Sequence, residues 1–298
     1  MSLSIYISSP GVGNLGFNKN FSLSIILSSV FIFSVILSDP LTQVLALQNY
    51  LTITSSGRII YDNIFLFTDD FEDGLGTSSD EIIRGDGWYD EEGRIQIDEV
   101  VFHSDHHSLR METETDIDKH TGRIFGVATR NCWSPTYNEE VILAKTVGYT
   151  VSWDVWFYLP ESTIDNAHAF WIITELFDGE YNHVAGIEMK FPSSGETLIQ
   201  FIGNPPIQWQ ENPYTLVENT WHHAILVVDY ANGRFVSLEL DYNKWNLGDY
   251  EYFKRVDIWP DIESGMLHFD VGVDTDQLEE YPHQLVYIDD AAAYLNLK

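Results

Sequence analysis

Two stretches of the chain concentrate carboxylates at the ends of β-type runs. Residues 67–74 read Phe-Thr-Asp-Asp-Phe-Glu-Asp-Gly and residues 285–290 read Leu-Val-Tyr-Ile-Asp-Asp. Clustered carboxylate and carbonyl oxygens are what a hard cation such as Ca²⁺ prefers. One run lies early in the chain and the other near its finish. If first and last strands lie side by side, both reach one seam and share a cation there. The single cysteine, Cys132, allows no internal disulfide, which leaves metal binding as a means of stapling the domain. Zinc is a poorer fit. His103, His106 and His107 share one turn that cannot present three imidazoles tetrahedrally, and His222 and His223 are neighbours on a strand and point to opposite faces.

A second set of residues suits sugar. Sugar rings stack on flat aromatic faces, and their hydroxyls need planar polar partners. Asp154, Trp156 and Tyr158 share one side of an alternating run. Neighbouring runs add Trp171 with Glu175, Glu188 with Lys190, and Gln200, and loop residues Trp88, Trp209 and Trp245 are further candidates. Sandwich cores also consume aromatics, and Trp153 and Trp221 read as core because each keeps register with apolar neighbours. A glycan-cleaving enzyme of either stereochemistry needs two facing carboxyls. Glu175 and Glu188 fall on adjacent predicted strands with outward parity and are the candidate pair. The chain has no Gly-x-Ser-x-Gly, phosphate loop or dinucleotide fingerprint.

Positioning such residues falls to strands. From residue 50 onward the hydrophobic period is two and turns are frequent, with no run of sustained helical spacing. The clearest alternation runs over 147–159, where Val151, Trp153, Val155 and Phe157 oppose Ser152, Asp154, Trp156 and Tyr158. Ala231-Asn232-Gly233 is a hairpin turn between two such runs. About thirteen strands in one block without internal repeats predict a single all-β sandwich over residues 47–298. Residues 1–46 differ. An uncharged apolar run over 21–37 follows Lys19 and precedes Val44-Leu45-Ala46, the pattern of a secretory leader. The run also approaches the length of a membrane span, about 17–25 residues, so an N-terminal anchor is the competing reading. The formal net charge of −31 repels nucleic acid and anionic lipid, favours solubility and cation binding, and fits acidic or saline surroundings.

The order of Asp-Asp-Phe-Glu-Asp (69–73), His-His-Ser-Leu-Arg (106–110), Asn-Thr-Trp-His-His (219–223), Val-Asp-Tyr-Ala-Asn-Gly (228–233) and Tyr-Ile-Asp-Asp (287–290) resembles concanavalin A-like lectin and glucanase domains, including laminin-G-like modules. The resemblance covers residues 50–298 and implies an antiparallel β-sandwich jelly roll. It also implies a structural Ca²⁺ clipping the first strand's turn to the last strand, with Glu72 and Asp289 as carboxylate ligands, Asp70 as a further one, and a carbonyl from the His106–His107 turn. The family's Glu-x-Asp-x-x-Glu strand is absent. The implied function is binding of a polysaccharide or glycoconjugate on a concave aromatic face formed by Asp154, Trp156, Tyr158, Trp171, Glu188, Gln200 and Trp209. Two alternatives stand beside it: a glycoside hydrolase or polysaccharide lyase of the same fold, and a structural surface or coat protein.

Overall fold

Strands form where β-branched and aromatic residues alternate with polar ones, and the alternation decides which side meets the core. The computed structural model describes residues 51–53, 59–61, 63–75, 88–113, 123–132, 139–191, 197–203, 207–256, 266–276 and 284–298. The leader or anchor expected over 1–46 lies outside them. Among the described residues no helix is long and apolar enough to cross a membrane.

The chain divides into two compact units, Met1–Asp62 and Asn63–Lys298. In the first, β1 (Leu51–Ile53) and β2 (Ile59–Tyr61) pair antiparallel in a sheet of their own. The second is an all-β antiparallel sandwich of jelly-roll type.

Two eight-stranded sheets make the sandwich. The first runs β15 (Asn243–Asn246), β14 (Arg234–Leu240), β13 (Trp221–Asp229), β8 (Tyr149–Tyr158), β18 (Leu285–Leu297), β6 (Ser108–Glu112), β5 (Arg94–Asp98), with β3 (Asn63–Asp69) also on β18. The second runs β12 (Ile207–Tyr214), β11 (Thr197–Phe201), β10 (Tyr181–Lys190), β9 (Ala169–Phe177), β17 (Met266–Asp276), β7 (Arg123–Cys132), β4 (Trp88–Glu92), with β16 (Phe253–Val256) also on β10. Two six-residue helices, α1 (Glu139–Ala144) and α2 (Glu161–Asn166), are too short to impose a helical period on the sequence. The acidic β4 (Trp-Tyr-Asp-Glu-Glu) reads as loop by composition, yet it pairs with β7.

The inner faces interlock through aromatics. Trp153 of β8 meets Phe269 of β17 with ring centroids 5.5 Å apart, and Phe157 of β8 meets Phe170 of β9 at 4.7 Å. Phe67 packs edge-on against Trp88, Trp153 and Phe269. Each such ring contributes about 1.5–3 kcal/mol by leaving water. Trp88, expected in a loop, is in this core, and its Nε1–H donates to Asp69 Oδ2 at 2.9 Å. Trp221, expected in the core, is half-buried on the other side of its strand, opposite Tyr158.

The long β18 organises the seam. Its residues 285–288 pair with β6 and its residues 291–296 pair with β3, while β8 runs along its other edge. The register breaks between Asp289 and Ala292, and Asp290 has φ 45°, a left-handed conformation that Asp tolerates better than most residues. First and last strands of the sandwich are thus neighbours, and both acidic runs meet at the break.

Candidate functional site

On β17 the residues Leu267, Phe269, Val271 and Val273 enter the core, so His268, Asp270, Gly272 and Asp274 face outward. Strand register carries this outward face across the second sheet in rows. One row is Gly272, Trp171, Glu188 and Gln200, on β17, β9, β10 and β11. The next is Thr129, Asp270, Ile173 and Gly186, and the third sets His268 opposite Glu175 and Val184.

Trp171 lies flat on Gly272. A Cβ placed on Gly272 would sit 2.2 Å from two atoms of the indole, so only glycine admits the ring there. Phe125 meets the ring edge-on at 6.1 Å, and Trp171 itself is half-buried. Beside it, Glu188 pairs with Lys190 at 3.4 Å, and Gln200 is half-buried.

The other two rows, together with Asn182 from the row beyond them, hold a polar network that is buried although it faces away from the core. His268 and Asp270 are less than a tenth exposed, and Thr129 and Asn182 are fully covered. His268 Nε2 lies 2.6 Å from Asp270 Oδ1, and the Thr129 hydroxyl donates to the same oxygen at 2.7 Å. Asn182 Nδ2 donates to Glu175 Oε2 at 2.9 Å, while its buried Oδ1 has no hydrogen-bond partner. Burial pushes the Glu175 carboxyl above the usual range. The nearby His268 opposes this and the Asp270 carboxylate adds to it.

The residues expected to form one sugar face divide between two. Asp154, Trp156 and Tyr158 are on the outward side of the first sheet, whereas Trp171, Glu188 and Gln200 are on the second. Successive strands β8 and β9 belong to different sheets, so parity along the sequence did not carry across. Trp209 lies opposite Ile199 on β12, and its side chain is outside the described residues. Trp156 offers no open ring face. His223 of β13 stacks on one flank at 4.6 Å and 10°. His103, held beside β18, stacks on the other at 3.7 Å and 18°. Both imidazoles are tied to carboxylates, His223 Nε2 to Asp154 at 2.7 Å and His103 Nδ1 to Asp290 at 2.7 Å. Tyr158 packs between Tyr287 and Trp221.

The expected enzyme pair does not meet. Glu188 is opposite Trp171 and Glu175 opposite Val184, four residues along the strands, about 13 Å at 3.3 Å per residue. Glycosidase carboxyls stand roughly 5–9.5 Å apart.

The acidic seam holds a turn. Glu72 Oε1 accepts the backbone N–H groups of His106 (2.6 Å) and His107 (2.8 Å), and its Oε2 lies 2.8 Å from His107 Nδ1. Asp289, fully buried, accepts the N–H groups of His103 and Ser104 on Oδ2 and that of Asp290 on Oδ1. Asp70 accepts the N–H of Glu72 at 3.2 Å. The His106–His107 turn therefore offers Glu72 N–H donors where a cation would need carbonyl oxygen, and Asp289 likewise accepts N–H groups from His103 and Ser104. As placed, Asp70, Glu72 and Asp289 do not fit a shared Ca²⁺ site, and no group of three or more His, Cys, Asp or Glu among the described residues is gathered to hold a metal ion.

His268, Asp270, Thr129 and Asn182 were not singled out from the sequence. The signal was present in Leu-His-Phe-Asp-Val (267–271), where two titratable groups share one face of a strongly apolar strand.

No protein-family model matches the chain, and no curated protein matches it. Solved structures do. A carbohydrate esterase from Shiga toxin-encoding bacteriophage phi24B is 11% identical with a TM-score of 0.46, covering 79% of this chain and all of its own. A protein of unknown function from Shewanella oneidensis MR-1 is 10% identical with a TM-score of 0.46, covering 87% of this chain and 95% of its own. A lectin from Bauhinia forficata in complex with GalNAc is 12% identical with a TM-score of 0.39, covering 78% of this chain and 97% of its own. At these identities and TM-scores the likenesses say nothing about the chain's chemistry.

Proposed function

We propose that the chain is an exported protein that binds a polysaccharide or glycoconjugate on the outward face of the second sheet. Trp171 is the stacking platform, and Glu188 and Gln200 form its hydrogen-bonding edge. The observation that carries this reading is the indole laid flat on Gly272, half-buried, in one cross-strand row with those two polar side chains. A rigid aromatic plate beside a few fixed polar groups is the chemistry that holds a sugar ring, apolar on its faces and hydroxylated at its edge. The glycine beneath Trp171 supports the reading further, since it lets the plate lie flush with the sheet. Export through the apolar run over 21–37 belongs to the same proposal and suits a strongly acidic chain.

Affinity electrophoresis in gels containing soluble neutral and acidic polysaccharides tests it. The full chain should be retarded by at least one polymer, and Trp171→Ala should lose that retardation while keeping its melting temperature. Equal retardation of the two proteins would remove Trp171 from the site. Migration unaffected by every polymer would remove the glycan reading and favour a protein that assembles with its own copies.

A further inference from the structure

We propose that His183 is a proton switch built into the sandwich: the protonation state of its ring decides whether the Tyr252 hydroxyl bonds to that ring or to the Tyr230 backbone. The switch is separate from the glycan-binding face. His183 is on the core side of β10, where Ala185 and Ile187 follow it into the hydrophobic interior, and it is 5% exposed. Its two ring nitrogens have different partners. Nε2 lies 2.9 Å from Oδ2 of Asp178, the residue that follows β9. Nδ1 lies 3.0 Å from the hydroxyl of Tyr252, just ahead of β16. That hydroxyl is also 3.1 Å from the backbone carbonyl of Tyr230, which follows β13 in the first sheet. Tyr230 in turn donates its own hydroxyl proton to the Thr174 carbonyl of β9 at 2.8 Å.

Proton counting over these contacts leaves two arrangements. Asp178 stays a carboxylate. Lys145 donates to its Oδ2, and the N–H groups of Glu180 and Tyr181 donate to its Oδ1 at 3.0 and 2.6 Å. Burial works against this charge, but those donors outweigh it and hold the carboxyl well below the usual range. A carboxylate at Nε2 requires a proton on Nε2 in every state. Tyr252 stays a phenol, because burial holds it above the usual tyrosine range, and it has one proton to give. In the neutral ring Nδ1 is a bare acceptor, so Tyr252 donates to the ring and leaves the Tyr230 carbonyl. In the imidazolium Nδ1–H donates to the Tyr252 oxygen, and the Tyr252 proton turns to the Tyr230 carbonyl. The same heavy-atom positions serve both arrangements, so the switch needs one proton from water and one hydroxyl rotation. Tyr230 is thus bonded to the second sheet through its hydroxyl in both states, and to the approach of β16 through its carbonyl only in acid.

The surroundings decide where the switch turns over. Asp178 and Tyr181 face the ring from the β9–β10 turn and the head of β10, Lys145 from the end of α1, and Lys254 from β16, with Tyr252 and Tyr230 packed edge-on against it. Burial pushes His183 below the ordinary histidine value, Asp178 opposes this, and Lys254 and Lys145 add to the fall. The folded chain therefore takes up this proton less readily than the unfolded one. The stability it contributes is complete above the unfolded value of about 6.5 and is lost as pH falls through the lower folded value.

The test titrates the isotope-labelled full chain by NMR from about pH 8 to about pH 4, across the range in which histidine changes charge. Long-range proton–nitrogen correlations read both ring nitrogens of His183, assigned by the signals missing from His183→Gln, and the backbone carbonyl carbon of Tyr230 is followed alongside. Expected are an Nε2–H tautomer near neutrality, an imidazolium forming with a midpoint below about 6.5, and a Tyr230 carbonyl shift with that same midpoint. In Tyr252→Phe the carbonyl should cease to follow the ring, and Asp178→Asn should lower the midpoint by about 1–3 pH units. A neutral Nδ1–H tautomer, or a ring that holds one protonation state over the whole range, would overturn the switch. So would a Tyr230 carbonyl that ignores the titration, or one that still follows it in Tyr252→Phe. The wild-type titration decides the matter even where a variant fails to fold.

Discussion

Gly272→Ala tests the arrangement beneath Trp171 without touching any polar group. The added Cβ would lie 2.2 Å from Cε2 and Cζ2 of the indole and 2.5 Å from its Nε1. Carbon contacts are favourable near 3.5–4.0 Å, so the ring must retreat by roughly 1.3 Å or swing off the sheet. Forcing atoms into occupied space costs about 1–3 kcal/mol. The same substitution in a strand interior should otherwise stabilise, by roughly 0.5–1 kcal/mol, because glycine loses more backbone freedom on folding. The two effects separate in a cycle with Trp171→Ala. Gly272→Ala should destabilise the wild-type background and be neutral or stabilising once Trp171 is gone, a coupling of at least 1 kcal/mol. Urea unfolding of the four proteins measures it, with the midpoint shift read at constant m. Affinity electrophoresis on the same proteins should show Gly272→Ala losing roughly 2- to 10-fold in glycan affinity, as stacking worth about 0.5–1.5 kcal/mol is disturbed. An equal cost of Gly272→Ala in both backgrounds would refute the reasoning, since it would mean that the ring does not rest on that glycine.

Three further outcomes follow from the two faces and the seam. Backbone N–H donation from His106 and then the His107 side chain hold the Glu72 carboxyl below its usual range, so its contribution is present above the unfolded value of about 4.3 and is lost as pH falls through the lower folded value. Glu72→Gln should therefore lower the melting temperature near neutrality and flatten the acid limb of a melting-temperature-against-pH curve; an unchanged acid limb would count against the clip. Trp156→Ala should leave glycan affinity unchanged, because His103 and His223 already cover both ring flanks, and a tenfold loss by affinity electrophoresis would move the binding face to the first sheet. Chelation with EDTA, followed by excess Ca²⁺, should leave the melting temperature unmoved, since Glu72 and Asp289 are spent on N–H donors; a reversible shift of several degrees would reinstate a bound cation.

Much of the sandwich was legible because its strands alternate cleanly. Val151, Trp153, Val155 and Phe157 face the core as their period requires, and β3 and β18 lie side by side as their matching acidic ends suggested. Strands with masked periodicity were not legible. Acidic β4 and the Asn-Lys-Trp-Asn strand β15 carry little apolar signal, and register with a neighbour makes them strands. The site was legible only residue by residue. Period two tells which side of its own strand Trp156 or Trp171 occupies, but which sheet the strand joins depends on pairings dozens of residues away. That missing link put the two tryptophans on one face. It also hid the meeting of Glu175 with His268, which only the β9–β17 pairing creates.

The place of β18 has a consequence for how the chain reaches this structure. It is the last strand of the sandwich and stands in the middle of the first sheet, with β8 on one edge and both β6 and β3 on the other. Among the described residues strand β3, the sandwich's earliest, pairs with β18 alone. During synthesis β3 therefore waits, unpaired, for nearly the whole domain to be made. Contacts this remote in sequence raise the contact order and slow folding. Closure of the sandwich is accordingly a late event, and the nascent chain carries an open strand edge until β18 has been made.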